Sequence, residues 1–477
     1  MNIDQKNNPL TYISLFSSAG VGCYGFKLED FECIATNEII ERRLNVQKHN
    51  NKCRYETGYI ADDILKEETK NKIRKELEFW KINHGIKELD VLISTPPCQG
   101  MSVANHKKGD ELARNSLVIE SIKLVREMSP KFFIFENVRA FLNSLCTDID
   151  GKDKKIREAI ELNLGGKYNI HYQVINFKDY GNPSSRTRTL VIGTRKDLQE
   201  ITPLEFMPKL QKERTVREVI SSLPSLKIMG QVNRNDIYHN FRPYAKHMLS
   251  WIEETKEGES AFQNKDSKRR PHKIVNGKMI SNIEKNADKY SRCFWDKPGV
   301  CIHTRNDILA SQATIHPTDN RVFSIRELMK LMSIPNSFKW TNVPEQELNN
   351  LSLEQKQKFL KREEINIRQS LGEAVPTTIF QQIAERIKKS IQKKIFDEKY
   401  VEKIIERENL DNLEILQTFL KKNLKNYSFV ELSKIVELAN AQRFKHAAYY
   451  TRQDICFTMV KDLPDASNYF SIRILEP

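Results

Sequence analysis

Leu89-Asp90-Val91-Leu92-Ile93-Ser94-Thr95-Pro96-Pro97-Cys98-Gln99 is an apolar run closed by two prolines, a cysteine and an amide, and the polar stretch 100–115 follows it. The apolar part reads as a short buried strand. The prolines stiffen its exit and fix the direction in which the chain leaves. A thiol on a rigid strand end beside a loop suits a nucleophile, which has to be held in place while a substrate enters. The same position also fits a small, inert core thiol, the commonest fate of a free cysteine. The neighbouring strands decide between the two.

Tyr12-Ile13-Ser14-Leu15-Phe16 is a second apolar run, and it passes into the small-residue turn Ser17-Ser18-Ala19-Gly20-Val21-Gly22. Phe31 to Thr36 is a third, closed by Asn37-Glu38, and Lys131 to Phe135 a fourth, closed by Glu136-Asn137. Tyr172 to Phe177 and Thr189 to Gly193 supply two more, and helical segments such as Ser116 to Met128 lie between them. Strands alternating with helices predict an α/β fold built on a doubly wound, mostly parallel sheet. Such sheets bind ligands beyond the carboxyl ends of their strands. Ser18-Ala19-Gly20, Glu38, Cys98 and Glu136 all fall at such ends. A turn of small residues lets a ligand approach the backbone. Glu38 is placed where a ribose hydroxyl pair needs an acceptor, and Asp63, in Ala61-Asp62-Asp63-Ile64, can accept from an adenine amino group. Each acid alone reads as a surface carboxylate or a helix cap. In this order they point to a cofactor that contains a nucleoside.

At 477 residues the chain is long enough for more than one domain. The catalytic α/β domain is expected over 1–195, completed by 372–388. Residues 196–345 lose the alternation and turn polar and basic, as in Asn264-Lys265-Asp266-Ser267-Lys268-Arg269-Arg270-Pro271-His272-Lys273, and read as a smaller second domain with its return segment. Residues 346–371, rich in Glu, Lys and Gln, read as an exposed, charged helical insertion, and 389–477 as a helical extension. The formal charge of +14 favours a polyanionic partner, nucleic acid first among them. No stretch approaches a membrane span, and the polar N-terminus lacks a signal-peptide core. The eight cysteines, at 23, 33, 53, 98, 146, 293, 301 and 456, form no close CxxC pair. That spacing argues against zinc ribbons and disulfide frameworks and fits a cytoplasmic protein without a metal site.

Read together, the pieces resemble the cytosine-carbon-5 DNA methyltransferase family, over roughly residues 11–388. They are Leu15-Phe16-Ser17-Ser18-Ala19-Gly20, Thr36-Asn37-Glu38, Asp63-Ile64, Pro96-Pro97-Cys98-Gln99 with Ser102, and Phe135-Glu136-Asn137-Val138. Gly181-Asn182-Pro183 with Arg186-Thr187-Arg188, Arg326-Glu327-Leu328 with Ile334-Pro335, and Gly372-Glu373-Ala374-Val375-Pro376 follow in the family's order.

The resemblance implies a Rossmann-like, S-adenosylmethionine-dependent methyltransferase domain with a smaller target recognition domain and a helical C-terminal extension. It implies that the Cys98 thiolate adds to carbon 6 of a cytosine flipped out of double-stranded DNA. Glu136 then contacts ring N3 and the exocyclic amine, and Arg186 and Arg188 stabilise the adduct site and the base oxygen. Residues 100–115 act as a lid. On the cofactor side, Phe16 packs on the adenine, Ser18, Ala19 and Gly20 line the methionine part, Glu38 takes the ribose and Asp63 the amine, with Pro97 at the same edge. The modification enzyme of a restriction–modification system is the implied setting, with a cognate endonuclease that need not touch it. A tRNA cytosine-5 methyltransferase with the same catalytic set, and a DNA-binding regulator that keeps the fold without activity, are the alternatives.

Some positions depart from the family pattern. Ser14 replaces a frequent aspartate, Ser18 a glycine, and Val21 stands where a second glycine often lies; Ser184 replaces a glutamine and Glu373 an asparagine. Ala447-Ala448-Tyr449-Tyr450-Thr451 and Ile472-Arg473-Ile474-Leu475-Glu476-Pro477 resemble the opening of an adenine-N6 DNA methyltransferase, which implies a second, incomplete enzyme domain.

Overall fold

The computed structural model describes residues 9–97, 111–198, 201–284 and 288–391, together with scattered residues from 405 to 439. Cys98, most of the 100–115 segment and the stretches at 447–451 and 472–477 lie outside the described residues. The chain divides into two units, residues 1–388 and 389–477. In the second, the described residues include helical Ile405, Leu416, Ile435 and Val436, all buried.

The first unit is built on strands β1 (Thr11–Leu15), β2 (Glu32–Asn37), β3 (Tyr59–Ile60), β4 (Val91–Ser94) and β5 (Phe132–Val138), the small hairpin β6 (Leu145–Thr147) and β7 (Asp153–Lys155), and β8 (Tyr168–Asn176) and β9 (Thr187–Arg195). Seven of these form one sheet in the order β3-β2-β1-β4-β5-β9-β8. The strands from β3 to β5 pair in parallel, and β9 runs antiparallel to both β5 and β8. The chain winds outward from β1 through β2 to β3, then crosses back to β4 on the other side of β1. The switch point therefore lies between β1 and β4, where such sheets take their ligands.

Helices cover the sheet: α1 (Tyr24–Leu28), α2 (Glu41–His49), α3 (Glu67–His84), α4 (Glu111–Asn115), α5 (Leu117–Met128) and α6 (Ile156–Leu164). Strands buried on both faces read as continuous apolar runs. Accordingly Ile13, Leu15, Leu92, Phe133 and Phe135 share one core with Ile73, Leu77 and Trp80 of α3 and Val118, Ile122 and Val125 of α5. Two-residue β3 went unread in the sequence because it is too short to show a period.

After β9 come α7 (Val216–Ile220), α8 (Leu249–Ile252), a hairpin of β10 (His272–Val275) and β11 (Lys278–Ser281), α9 (Ile325–Leu331), α10 (Glu345–Asn350), α11 (Leu353–Glu373) and α12 (Thr377–Ile391). A second core joins Val216, Ile237, Ile325, Leu328, Phe359 and Leu371 to Ala19 and Val21 of the turn after β1. The expected exposed insertion is a correction. The region is helical, but α11 buries Phe359, Leu360, Ile367 and Leu371, and with them Glu364 and Arg368, which pair at 2.9 Å. The many charges of this helix mask a stripe at 360, 364, 367 and 371, the helical period, in which Glu364 is neutralised by its neighbour. At its end the chain returns to its start. Gly25 in α1 has no room for a Cβ because the backbone at Thr377 and Gln381 lies against it, and Lys388 pairs with Asp30 at 2.8 Å.

Candidate active site

The turn after β1 has an unusual backbone. Phe16, Ser18 and Gly20 all take positive φ, at 54°, 47° and 78°. Gly20 suits this without cost, whereas a left-handed serine costs on the order of 1 kcal/mol or more. Ser18 is held in place by its neighbours. Its N–H donates to Glu38 Oε2 at 2.8 Å, its carbonyl accepts from Gln47 Nε2 at 2.5 Å, and its Oγ donates to Glu373 Oε2 at 3.2 Å. Arg43, at the start of α2, pairs with Glu373 at 2.6 Å and lies 3.7 Å from Glu38. Two of the departures from the family pattern, Ser18 and Glu373, are therefore one local arrangement, with Arg43 supplying the countercharge.

Glu38 is buried, and its other oxygen accepts Ile40 N–H at 3.0 Å. Between those two anchors Ile39 is 64% exposed, an apolar surface beside a carboxylate. Asp63 is half-buried and caps the chain's entry to α3, its Oδ1 accepting Leu65 N–H at 3.0 Å. A nucleoside needs a close backbone, a carboxylate for its hydroxyls and an apolar surface for its base. Residues 16–20, Glu38 and Ile39 provide these at adjacent strand ends, so the set fits the cofactor that the sequence implies. Of these, Ile39 and Arg43 were missed in the sequence. Ile39 is visible only as an apolar residue following the expected ribose acid, and Arg43 carries no spacing signal.

The β4 exit is tied to both neighbours. Thr95 Oγ1 donates to Phe16 O at 2.9 Å, and Asn137 Nδ2 donates to the buried carbonyl of Pro96 at 2.9 Å. Asn137 thus holds the strand end two residues before Cys98, with Pro97 half-buried between. Its exchange for alanine leaves that carbonyl unpaired. We expect a loss of about 1–3 kcal/mol of stability, measured by urea unfolding.

Glu136 lies near the end of β5, and it is 7% exposed. Because β9 runs antiparallel, its start falls at the same edge as the ends of the parallel strands. Glu136 pairs in register with Leu190 and Val138 with Arg188, so Glu136 and Arg188 are diagonal neighbours on one face. Arg188 Nε stands 3.2 Å from Glu136 Oε1, yet the angle is poor and that oxygen makes no hydrogen bond. Burial raises the Glu136 pKa above the usual carboxylate value, against the pull of Arg188 and then Arg186. A buried carboxyl with a free oxygen, inclined to keep its proton, is equipped to donate to a ring nitrogen.

Arg186, one alternation back along the chain, is 5% exposed and faces a different task. Its guanidinium donates to the carbonyls of Ile302 at 3.2 Å, Gly372 at 3.1 Å and Glu373 at 3.2 Å. Gly372 is required there, since a Cβ would collide with the backbone of His303 and Thr304. The structure thus brings Glu136 and Arg188 together and uses Arg186 to bind three carbonyls of two distant backbone segments beside them. Two other departures are also accommodated: Ser184 Oγ donates to Leu331 O at 2.8 Å, and Ser14 Oγ lies 3.3 Å from the buried Cys23 thiol.

The sequence profile of the C-5 cytosine-specific DNA methylases matches residues 10–389. The Type II methyltransferase M1.HgaI of Avibacterium volantium is 30% identical over 388 residues, which cover 79% of this chain and 97% of that protein. M1.HphI of Haemophilus parahaemolyticus, also a Type II methyltransferase, is 30% identical over 384 residues, 80% of this chain and 87% of its own. Among solved structures, a prophage-encoded DNA modification methyltransferase of E. coli shares the fold with a TM-score of 0.54 and 19% identity, covering 80% of this chain and all of that one.

Proposed function

Because the chain belongs to the C-5 cytosine-specific DNA methylases, we propose that Cys98, Glu136 and Arg188 act on one flipped cytosine of a DNA duplex, at a sequence the enzyme selects. The chain is a DNA cytosine-5 methyltransferase, and its methyl donor is S-adenosylmethionine. The observation that carries the residue assignment is the buried Glu136 carboxyl, with one oxygen making no hydrogen bond, beside Arg188 where the end of β5 meets the start of β9.

Cytosine carbon 5 is a weak nucleophile. Addition of the Cys98 thiolate to carbon 6 breaks the 5,6 double bond and pushes its electron pair toward carbon 5 and the ring. Glu136, holding its proton in a buried site, donates to N3 and relieves the charge that develops there. Arg188 faces the same side and stabilises the base oxygen. Arg186 keeps the edge rigid by binding the 302 and 372–373 carbonyls. S-adenosylmethionine, when bound, supplies an electrophilic methyl group on a sulfonium; residues 16–20, Glu38, Ile39 and Asp63 would hold it. Loss of the carbon 5 proton to a base then lets the cysteine leave. The two Type II relatives support a place in a restriction–modification system, with a cognate endonuclease as companion.

The test is transfer of a tritiated methyl group to plasmid DNA and to tRNA, followed by bisulfite sequencing of the DNA. Label at cytosine in DNA supports the reading, and label confined to tRNA overturns it.

The Arg43–Glu373 pair yields a second expectation. Arg43→Ala leaves Glu373 without its countercharge beside the cofactor edge, and S-adenosylmethionine Kd should rise about three- to tenfold. Glu373→Asn in the same protein should recover most of that loss, a coupling of about 0.5–1 kcal/mol for a partly exposed pair. Calorimetric titration of the four proteins measures it.

A further inference from the structure

The β10–β11 hairpin stands apart from both main cores. It forms a two-stranded sheet of its own, closed by Asn276-Gly277 with φ of 50° and 75°, the tight turn that matches strand twist. Along its length nearly every residue is exposed. Ile274 is 64% exposed, Val275 46%, Met279 43% and Ile280 52%. Isolated hairpins in water are marginal, and bare aliphatic side chains on one are a cost unless something covers them.

Its root, by contrast, is firmly seated. His272 packs on buried Trp251 with ring centres 5.3 Å apart, Asn282 N–H donates to Pro271 O at 2.9 Å, and Arg269 pairs with Glu254 at 2.6 Å. Trp251 belongs to a small core with Ile252, Tyr290, Leu309 and Ile315. From this core the chain runs on through 299–303 to the Ile302 carbonyl that Arg186 holds. A rigid root and an uncovered tip describe an arm built to enter something.

Register divides the arm into two faces. His272 pairs with Ser281 and Ile274 with Met279, while Lys273 pairs with Ile280 and Val275 with Lys278. One face thus presents two lysines on one diagonal and two aliphatics on the other. The opposite face presents Ile274 and Met279 side by side. Among the described residues no carboxylate forms an ion pair with Lys273 or Lys278. Protein–protein interfaces are depleted in lysine and enriched in aromatics, and His272–Ser281 contains lysines and no Phe, Tyr or Trp. The major groove of duplex DNA admits a two-stranded ribbon, offers guanine O6 and N7 to lysine, and offers thymine methyls to aliphatic side chains.

Resting on the DNA methyltransferase reading above, we propose that the His272–Ser281 ribbon lies in the major groove of the substrate duplex and reads part of the target sequence. The face that carries Lys273, Lys278, Val275 and Ile280 turns to the base edges, with Lys273 and Lys278 contacting guanine and Val275 and Ile280 packing on thymine methyls. Their exposure means that substitution removes a contact with DNA and not a support of the fold.

The experiment compares the wild-type chain with Lys273→Gln/Lys278→Gln and Val275→Ser/Ile280→Ser, both on the face turned to the bases. Bisulfite sequencing of a randomised plasmid library gives the methylated site, and competition between the preferred duplex and single-base variants gives discrimination at several salt concentrations. We expect both variants to keep wild-type Tm and S-adenosylmethionine affinity. We expect discrimination to fall about tenfold or more at one or two positions of the site. Unchanged site profiles in both variants overturn the proposal, and so does a change confined to the salt slope, which marks phosphate contact alone. If the wild-type chain places no methyl on cytosine in DNA, the functional reading falls and the ribbon's role falls with it. If it does and the variants match it, only the ribbon proposal fails.

Discussion

Cys98→Ala should lower methyl transfer to DNA by at least about a thousandfold while leaving S-adenosylmethionine binding intact. The expectation rests on what carbon 5 of cytosine lacks. Without a covalent bond at carbon 6 the ring stays aromatic, and no hydrogen bond from Glu136 or Arg188 can substitute for the missing electron pair. The structure strengthens the contrast with the other thiols. Cys23, Cys33, Cys53, Cys146 and Cys293 are buried. Burial raises the pKa of Cys23 and Cys53, pushes Cys146 up to about 12 and Cys293 to about 11. Thiols raised in this way are poor nucleophiles at neutral pH; Cys33, where burial is outweighed by the Cys53 hydrogen bond and Lys52 and the pKa is lowered, is shut away from solvent at 0% exposure. Cys301 is half-buried, with its sulfur 4.0 Å from Arg186 Nη1, and is the informative control. Cys301→Ala should keep transfer within a few fold of wild type in the tritium assay. Activity that survives Cys98→Ala, or is lost equally at Cys301, removes the nucleophile from its assigned position.

Glu136→Gln should cost about a hundred- to a thousandfold in kcat, with Kd for the cofactor unchanged. Glutamine keeps the shape and can still donate through its amide, but it has no proton to transfer to N3. The same change has an opposite signature in stability. Burial raises the Glu136 pKa above its ordinary 4.5. A carboxyl raised on folding contributes stability that is complete below its unfolded value and fades as pH rises through its folded value. Glutamine does not titrate, so the stability of the variant relative to wild type should climb as pH rises from about 4.5 through the raised folded value. Thermal unfolding across that range measures it. A difference that stays flat with pH shows that Glu136 is ionised and paired in the folded protein, and the role as proton donor goes with it. A less active and comparatively more stable variant is the expected trade at a site that holds a carboxyl in an unfavourable place.

Much of this was legible in the sequence because parallel strands buried on both faces leave unbroken apolar runs. The run 89–95 contains β4, and the runs at 12–16 and 31–36 lie within a residue of β1 and β2. The ends of those runs located the turn at 18–20, Glu38 and Glu136, since a polar residue after a buried strand can only fall at the sheet edge. Other features left no local trace. That Glu136 and Arg188 meet depends on β9 reversing direction, which sequence distance does not reveal. The carbonyls that engage Arg186 come from positions more than a hundred residues away, so its binding of backbone is invisible in Arg186-Thr187-Arg188 alone. The α11 stripe was hidden because its member Glu364 and the buried partner Arg368 are charged, and composition counts charge as exposure. The Ser18 and Glu373 departures looked like separate losses until the fold placed them 3.2 Å apart.

One consequence of the return of the chain concerns how this catalytic unit can be rewired. Glu32 N–H bonds to Leu10 O at 2.8 Å, and Lys388 reaches Asp30 at 2.8 Å. The beginning and the end of the methylase region therefore meet at the same short connection between α1 and β2. A polypeptide with that property is topologically close to a ring. A short flexible linker from 388 to 10 should permit circular permutation, with new termini opened at Asn276-Gly277, where no core residue is cut. The catalytic edge, whose parts come from both halves of the chain, would then be assembled in a different order of synthesis from the same contacts.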